Sequence, residues 1–168
     1  MPPIIRLLQV GDAAPYRALR LRALTEDPAA YLTSAEEYAQ RSPDEIAARL
    51  GATEQAFTLG AFLKTELIGM ATLIRLERRK QRHRADVVSV YVAPEARGQG
   101  VAAELIQSLI DQARQQKGLE VLGLSVTETQ VAARRLYEKL GFELWGVQAN
   151  ALRQGEAALT ELHLQLRL

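Results

Sequence analysis

Residues 90–102 read VYVAPEARGQGVA, and this stretch decides the fold. Val90–Val92 are strand-forming residues and predict the last part of a strand. Pro94 ends that strand because proline has no backbone N–H to donate. Arg97 to Gly100 predicts a turn, and apolar residues at helical spacing predict a helix over Gln99 to Gln116. A strand, a glycine turn and a helix in this order direct several backbone N–H groups at one point, which is typical of a phosphate or pyrophosphate site. Spacing alone leaves open a short turn without a ligand.

The sequence on either side predicts a mixed sheet. The β-type runs 56–63 and 67–76 are separated by a gap of hairpin size, whereas strands at Asp86–Val92 and Val121–Val126 flank the long helix and so predict a right-handed parallel crossover. Residues 29–41 show no clear periodicity. The remaining predicted elements are a strand over Ile4–Val10, a helix capped by Asp12 that ends near Asp27, a helix that starts at Ser42–Glu45 and ends by Gly51, a helix over Gln130–Leu140, and strands near Phe142–Asn150 and Ala157–Arg167. The predicted fold class is α/β (α+β), with a mixed central sheet of about seven strands and helices on both faces.

The composition excludes several functions. The 168 residues include no cysteine, which excludes a disulfide scaffold and a thiol nucleophile. His83 and His163 are the only imidazoles, which disfavours a multi-histidine metal site. The 21 basic and 20 acidic side chains give a net charge of +1, which disfavours a globally basic nucleic-acid-binding protein. No signal-peptide pattern is present, and no run approaches the ~20 apolar residues of a membrane span. We therefore expect a cytoplasmic protein with one domain over residues 1–168, no membrane contact and no metal.

Two other nucleotide-binding motifs fit poorly. Gly98, Gly100 and Ala103 formally match the G-x-G-x-x-A dinucleotide motif. That motif requires repeated parallel units and an acidic residue at a strand end, but hairpins surround it here, Asp111 lies inside the helix and Glu120 precedes the next strand. A Walker P-loop lacks its Gly-Lys-Ser/Thr ending. A nicotinamide-dependent oxidoreductase is therefore disfavoured.

A resemblance to a known family rests on two motifs. Residues 97–102, RGQGVA, fit [Q/R]-x-x-G-x-[G/A], and residues 133–142, ARRLYEKLGF, fit A-x-x-L-Y-x-x-x-G-F. Both are hallmarks of the GNAT acyltransferase superfamily, and weaker similarity reaches Arg20–Arg22 and Asp27–Tyr31. The chain resembles one GNAT domain. The resemblance implies the GNAT fold with splayed fourth and fifth strands, and an N-acetyltransferase that takes acetyl-CoA as its cosubstrate.

The resemblance also implies which residues hold acetyl-CoA. In the family, the turn after the fourth strand binds the pyrophosphate, and the pantetheine arm pairs with the backbone of that strand. The implied cofactor-binding residues are Val90, Tyr91, Val92, Arg97, Gly98, Gln99, Gly100, Val101, Ala102, Gln130 and Ala133. Gln130 replaces an asparagine that contacts pantetheine in many relatives, so that contact either persists or is lost.

Two residues are implied to be catalytic. Tyr137 matches the tyrosine that protonates the leaving thiolate, since a phenol with a pKa near ~10 stays protonated at neutral pH. Its alternative role is that of a core tyrosine. Asp86 matches a carboxylate that deprotonates the acceptor amine, directly or through water, and its alternative is a hairpin-end residue paired with neighbouring arginines. His83 and bulk water are further candidate bases.

The resemblance implies a small-molecule or peptide amine as the acceptor, which the sequence does not identify. Tyr31, Glu36, Glu37 and Asn150 are candidate lining residues. A non-catalytic acyl-CoA-binding sensor with the same fold is the alternative function. The basic segment Arg78 to Arg84 lacks interleaved aromatic residues, which favours a solvated hairpin over a nucleic-acid patch. A homodimer is common among relatives, although no residue here points to one.

Overall fold

One mixed sheet organises the chain, and the computed structural model describes all of residues 1–168. Its seven strands are β1 (Ile4–Leu7), β2 (Ala56–Leu63), β3 (Glu66–Arg75), β4 (Arg84–Val92), β5 (Val121–Thr127), β6 (Glu143–Gln154) and β7 (Ala157–Arg167). They lie in the order β1-β2-β3-β4-β5-β7-β6. The helices are α1 (Ala13–Glu26), α2 (Ala35–Ala39), α3 (Pro43–Leu50), α4 (Val101–Gln115) and α5 (Val131–Lys139). The predicted fold class and strand number are confirmed.

Strands β4 and β5 are parallel neighbours that pair over only a short distance. Their register runs from Arg84 opposite Val121 to Asp86 opposite Gly123. Beyond that point, Val87–Val92 of β4 has no partner on β5, although β4 still pairs with β3. The expected splay is confirmed, and it leaves one side of the β4 backbone without a neighbouring strand.

A β-bulge lies in β4 just where the two strands separate. Thr72 of β3 pairs with Val88 and Met70 pairs with Tyr91, so β4 carries one extra residue between these pairs. Ser89, within this interval, has φ of 55°, a left-handed conformation that is uncommon for a residue with a side chain. The bulge therefore redirects the β4 backbone as it enters the gap.

Helices cover both faces of the sheet. On one face, α4 packs against β2, β3 and β4 and buries Leu105, Ile106 and Leu109 in the larger core cluster. On the other, α1 and α3 pack against β3 and β4 in a second cluster that includes Tyr91. Because neighbouring side chains on a strand point to opposite faces, Val92 joins the first cluster.

Local chemistry explains the boundary differences near the N-terminus. Strand β1 ends at Leu7 instead of Val10, because Val10–Asp12 forms a 3₁₀ turn. The Asp12 carboxylate does not cap α1 through its side chain: Oδ2 accepts hydrogen bonds from the Gln9 N–H and from Arg6 Nη1, each at 2.8 Å.

Helix α2 was not predicted, because residues 29–41 show no apolar periodicity. It is one short turn beyond a capping box, in which Ser34 Oγ accepts from the Glu37 N–H at 3.1 Å and Glu37 Oε2 accepts from the Ser34 N–H at 2.9 Å. The Ser-x-x-Glu spacing of this pair was the signal that could have revealed it.

Two later boundaries also shift. Helix α4 starts at Val101 instead of Gln99, because Gly98 and Gly100 have φ of 75° and 81°, which a right-handed helix excludes. Strand β6 continues to Gln154, past the predicted end at Asn150, with an irregularity in its pairing between Gln148 and Leu152.

Candidate active site

A cavity of about 420 Å³ opens where β4 and β5 separate. We call it the gap cavity. Its walls are the free side of β4, the facing end of β5, the turn that follows β4 and the first turns of α4 and α5. Of the residues predicted to bind the cofactor, those that line it are Val90, Tyr91, Val92, Arg97, Gly98, Gly100, Val101, Ala102, Gln130 and Ala133. The splay thus brings together motifs that lie far apart in the sequence.

The glycine turn presents free backbone donors to the gap cavity. The first hydrogen bond of α4 runs from the Glu104 N–H to the Gly100 carbonyl at 3.0 Å, so the N–H groups of residues 101–103 have no partner within the helix. A Cβ at Gly98 or Gly100 would meet no other atom of the chain. Glycine is required there because the backbone has positive φ, and not because a side chain would clash. This arrangement matches the chemistry of a pyrophosphate.

Arg97 and Gln99 use their side chains within the turn itself. Arg97 donates from Nε to the Val92 carbonyl and from Nη2 to Asp27 Oδ2, both at 2.9 Å. Gln99 donates from Nε2 to the Glu95 carbonyl at 3.2 Å and does not line the cavity. Arg97 therefore ties the turn to β4 and to the end of α1, and any role for Gln99 in ligand binding falls to its backbone.

Two carbonyl groups of β4 already accept hydrogen bonds from side chains. The Tyr31 hydroxyl donates to the Val90 carbonyl at 2.7 Å, and Arg97 donates to the Val92 carbonyl. A carbonyl oxygen has two lone pairs, so each group can accept a second donor from a ligand. Tyr91 contributes only its backbone to this side, because its ring is buried on the opposite face and its hydroxyl donates to Glu26 Oε2 at 2.6 Å.

Tyr137 belongs both to the core and to the cavity wall. The residue is 6% exposed, and its ring packs edge-on against Phe142 with 5.9 Å between centroids. Burial raises the pKa of its hydroxyl, so the phenol keeps its proton across the physiological pH range. Tyr137 thus packs in the core and also contacts the cavity, and neither position excludes the other.

A second cavity of about 990 Å³, here called the acceptor cavity, lies under helices α1 to α3. It shares Ala30, Tyr31, Val87–Ser89 and Leu124–Ser125 with the gap cavity, so the two meet where β4 leaves β5. Of the four residues considered as lining, Tyr31 lies in its wall. Glu36, Glu37 and Asn150 lie outside it, and Glu37 caps α2 instead.

Asp86 is the candidate base that reaches the acceptor cavity. It forms the last β4–β5 pair, and a Cβ on its partner Gly123 would lie 3.0 Å from Asp86 Oδ1. Desolvation raises the pKa of this carboxyl, and the charge of Arg84 partly opposes that effect. Asp86 takes part in none of the ion pairs, and Arg84 Nη2 donates to Gln165 Oε1 at 3.5 Å. The geometry does not favour the hairpin-end ion pair considered from the sequence.

His83 and His163 occupy very different places. His83 lies outside both cavity walls, and its carbonyl accepts from the Glu120 and Val121 N–H groups. His163 on β7 pairs through Nδ1 with Ser125 Oγ at 2.8 Å, and Ser125 lines both cavities. Sequence analysis missed this pair because its members are 38 positions apart.

The basic segment is an exposed connection between β3 and β4. Arg79–Gln81 forms a 3₁₀ turn, and Arg82 Nε donates to the Glu77 carbonyl at 3.1 Å. The segment therefore binds its own backbone, in keeping with the solvated hairpin expected. None of the helices has the length and apolar content needed to cross a membrane.

Comparison with known proteins identifies the class of protein. The model of the acetyltransferase (GNAT) family matches residues 20–142, which include both sequence motifs and all the residues that line the gap cavity. The chain belongs to the GNAT family of acetyltransferases, and the predicted resemblance is confirmed.

Individual relatives agree in fold. The crystal structure of a GNAT-family acetyltransferase from Streptococcus pneumoniae superposes with a TM-score of 0.91 at 22% identity, covering 99% of each chain. The Salmonella typhimurium protein yncA, solved with acetyl-CoA, superposes with a TM-score of 0.87 at 23% identity, covering 100% of this chain and 95% of that one. An L-methionine sulfoximine/L-methionine sulfone acetyltransferase of Pseudomonas paraeruginosa is 41% identical over 58 residues. That match spans 34% of this chain and only 33% of the relative.

Proposed function

We propose that the protein transfers the acetyl group of acetyl-CoA to a primary amine by direct attack, with both substrates bound at once. The observation that carries this proposal is the meeting of the gap cavity and the acceptor cavity at Val87–Ser89. The gap cavity includes the glycine turn suited to a pyrophosphate, and the acceptor cavity includes the carboxylate of Asp86. A thioester and an amine can therefore reach the same point from opposite sides.

The residues of the gap cavity fit acetyl-CoA. The α4 N-terminus and its two left-handed glycines suit the pyrophosphate, and the unpaired side of β4 suits the amide groups of pantetheine. Bound acetyl-CoA would supply a thioester, which is already activated toward amines. Backbone N–H groups of β4 near the Ser89 bulge would then polarise the acyl carbonyl.

The chemical step requires one proton acceptor and one proton donor. The amine nitrogen attacks the acyl carbon, the new C–N bond replaces the C–S bond, and the sulfur leaves as a thiolate. Asp86, directly or through water, takes the proton from the amine, and Tyr137 gives its proton to the thiolate. Because the chain has no cysteine, an acyl-cysteine intermediate is excluded, and direct transfer is the simpler route.

Residues 1–168 would act as one acetyltransferase domain, since both cavities are built around a single sheet. The partial match to an enzyme that acetylates methionine sulfoximine supports testing amino-acid-like amines first. A homodimer is not needed for this site, because its proposed catalytic residues come from one chain.

The test measures CoA release, with a thiol reagent, from acetyl-CoA plus a panel of amino acids, amino acid analogues, polyamines and peptides. Release with at least one amine, together with saturable acetyl-CoA binding by calorimetry, supports the proposal. Binding of acetyl-CoA without release across the panel favours the sensor alternative. Absence of acetyl-CoA binding refutes both.

A further inference from the structure

The acceptor cavity contains a buried arginine without an acidic partner. Arg20 on α1 is only 8% exposed, and its Nη1 atom has no hydrogen-bond partner. Its guanidinium lies over the ring of Tyr31, with Cζ 4.6 Å from the ring centroid. Arg20 takes part in none of the ion pairs. A buried charge with unused donors is costly, so its presence calls for an explanation.

A second unsatisfied donor lies in the same wall. Tyr38 on α2 is 3% exposed, and its hydroxyl also has no partner. Arg20 and Tyr38 both line the acceptor cavity, and the Tyr38 hydroxyl lies close enough to interact electrostatically with the guanidinium. Two buried donors without acceptors in one cavity are what an absent oxyanion would satisfy.

The charges around Arg20 and Tyr38 also favour an anionic ligand in this part of the cavity. Arg41 and Arg49 also line the cavity, and neither takes part in any of the ion pairs. Together with Arg20, they act electrostatically on the hydroxyl of Tyr16. The carboxylates in the wall are those of Asp86 on β4, Glu161 on β7 and Glu77 in the connection between β3 and β4. The cavity is thus cationic under the helices and acidic beside the sheet.

We propose that Arg20 and Tyr38 form an oxyanion subsite, and that the acceptor is an amino acid or a close analogue with a carboxylate. Its carboxylate would lie at Arg20, and its amine would face the acidic side near Asp86. Tyr31 joins Arg20 to the sheet, since its ring lies against the guanidinium and its hydroxyl donates to the Val90 carbonyl of β4. This inference rests on the proposed function, because it names the substrate class of the same site.

The test uses matched ligands that differ only in the anionic group. N-acetyl-L-methionine and N-acetyl-L-methionine sulfone, each paired with its carboxamide, are titrated by calorimetry into the protein saturated with CoA. We expect at least one acid to bind at least ~10-fold more tightly than its amide. Equal binding of each acid and its amide, or no binding by any acid, overturns the proposal.

Variants separate the subsite from general stability. Arg20→Met should weaken binding of the acid by about 10- to 100-fold, and Tyr38→Phe by about 3- to 10-fold, without changing acetyl-CoA affinity. Arg17→Met is the control, because Arg17 belongs to the same helix but does not line the cavity. Replacing a buried unpaired charge by an apolar side chain should leave the melting temperature unchanged or higher. Unchanged acid binding in a folded Arg20→Met variant overturns the proposal.

Turnover distinguishes the two proposals. If the wild-type protein shows no preference for acids over amides but still releases CoA with amines, the subsite alone is overturned. Acid binding that depends on Arg20 without CoA release from any amine would overturn the acetyltransferase proposal and leave the subsite standing.

Discussion

The hydroxyl of Tyr31 donates a hydrogen bond to the Val90 carbonyl oxygen at 2.7 Å, across 59 positions of sequence. This bond lies on the unpaired side of β4, one residue beyond the segment Val87–Ser89 that the two cavities share. It also holds the segment after α1 against the sheet. Tyr31 therefore borders the acceptor cavity while it occupies a backbone group that pantetheine is proposed to use.

Replacement of Tyr31 by phenylalanine should separate these two effects. Loss of the bond leaves the Val90 carbonyl unsatisfied in the free protein, which should lower the free energy of unfolding by about 1 kcal/mol. A ligand N–H can then satisfy that carbonyl, so acetyl-CoA should bind as tightly as before or a few-fold more tightly. Denaturant unfolding and calorimetry measure the two quantities. Weaker acetyl-CoA binding would contradict the proposed pairing at Val90.

Replacement of Tyr137 by phenylalanine should impair turnover alone. The raised pKa keeps the phenol protonated, so its loss removes a proton donor and should lower kcat by about 100-fold or more. The ring packing against Phe142 is preserved, so acetyl-CoA affinity and melting temperature should change little. Steady-state kinetics with a good acceptor provides the measurement. Full turnover in this variant would show that Tyr137 is not the proton donor and that its role is structural.

Alanine at Gly98 or Gly100 should weaken acetyl-CoA binding. Each position has positive φ, so alanine costs about 1 kcal/mol of folding stability and should shift the turn. Gly155→Ala is a matched control, since Gly155 has φ of 60° and open space at Cβ but lies outside the gap cavity. We expect similar losses of stability in the variants and a loss of acetyl-CoA affinity only at Gly98 and Gly100. Equal affinity in all three would argue against a phosphate site.

Asp86 should give the reaction an acidic limb in its pH profile. Desolvation raises the pKa of its carboxyl, so the limb in kcat/KM should lie above the ordinary value of ~3.9. Asp86→Asn should remove that limb and lower kcat/KM by about 100-fold. Ser125→Ala breaks the bond to His163 and should cost less than ~10-fold. A loss in Ser125→Ala as large as in Asp86→Asn would assign proton removal to the Ser125–His163 pair.

The same carboxyl predicts the sign of a stability change with pH. Because its pKa is raised in the folded state, the folded protein binds the proton at a higher pH than the unfolded chain does. The contribution of Asp86 to stability is therefore present at low pH and lost as pH rises through the folded-state pKa. The unfolding free energy of the wild type minus that of Asp86→Asn should fall as pH rises from the unfolded-state pKa of Asp86 through its folded-state pKa. Urea unfolding at a series of pH values measures it, and an opposite slope would show that charge partners outweigh burial.

The elements with strong local signals were predicted well. Helix α4 and strand β7 follow from apolar periodicities, and the hairpin of β2 and β3 follows from two β-type runs and their short gap. Helix α2 was missed because five residues carry too little periodicity, although its capping box is visible in the sequence. Asp12 was misread because its carboxylate binds a side chain and a backbone group outside the helix.

The sequence by itself determined the family, the mixed sheet and the glycine turn between β4 and α4. These depend on residues close in the chain: two short motifs, regular apolar spacing, and glycines whose backbone must take positive φ. Only the tertiary structure decided that pairing between β4 and β5 ends at Asp86, which side chains bond the Val90 and Val92 carbonyls, and that donors of Arg20 and Tyr38 have no partner. Each of these depends on which segments pack together and which polar atoms that packing leaves without partners. Periodicity and local motifs do not encode that information.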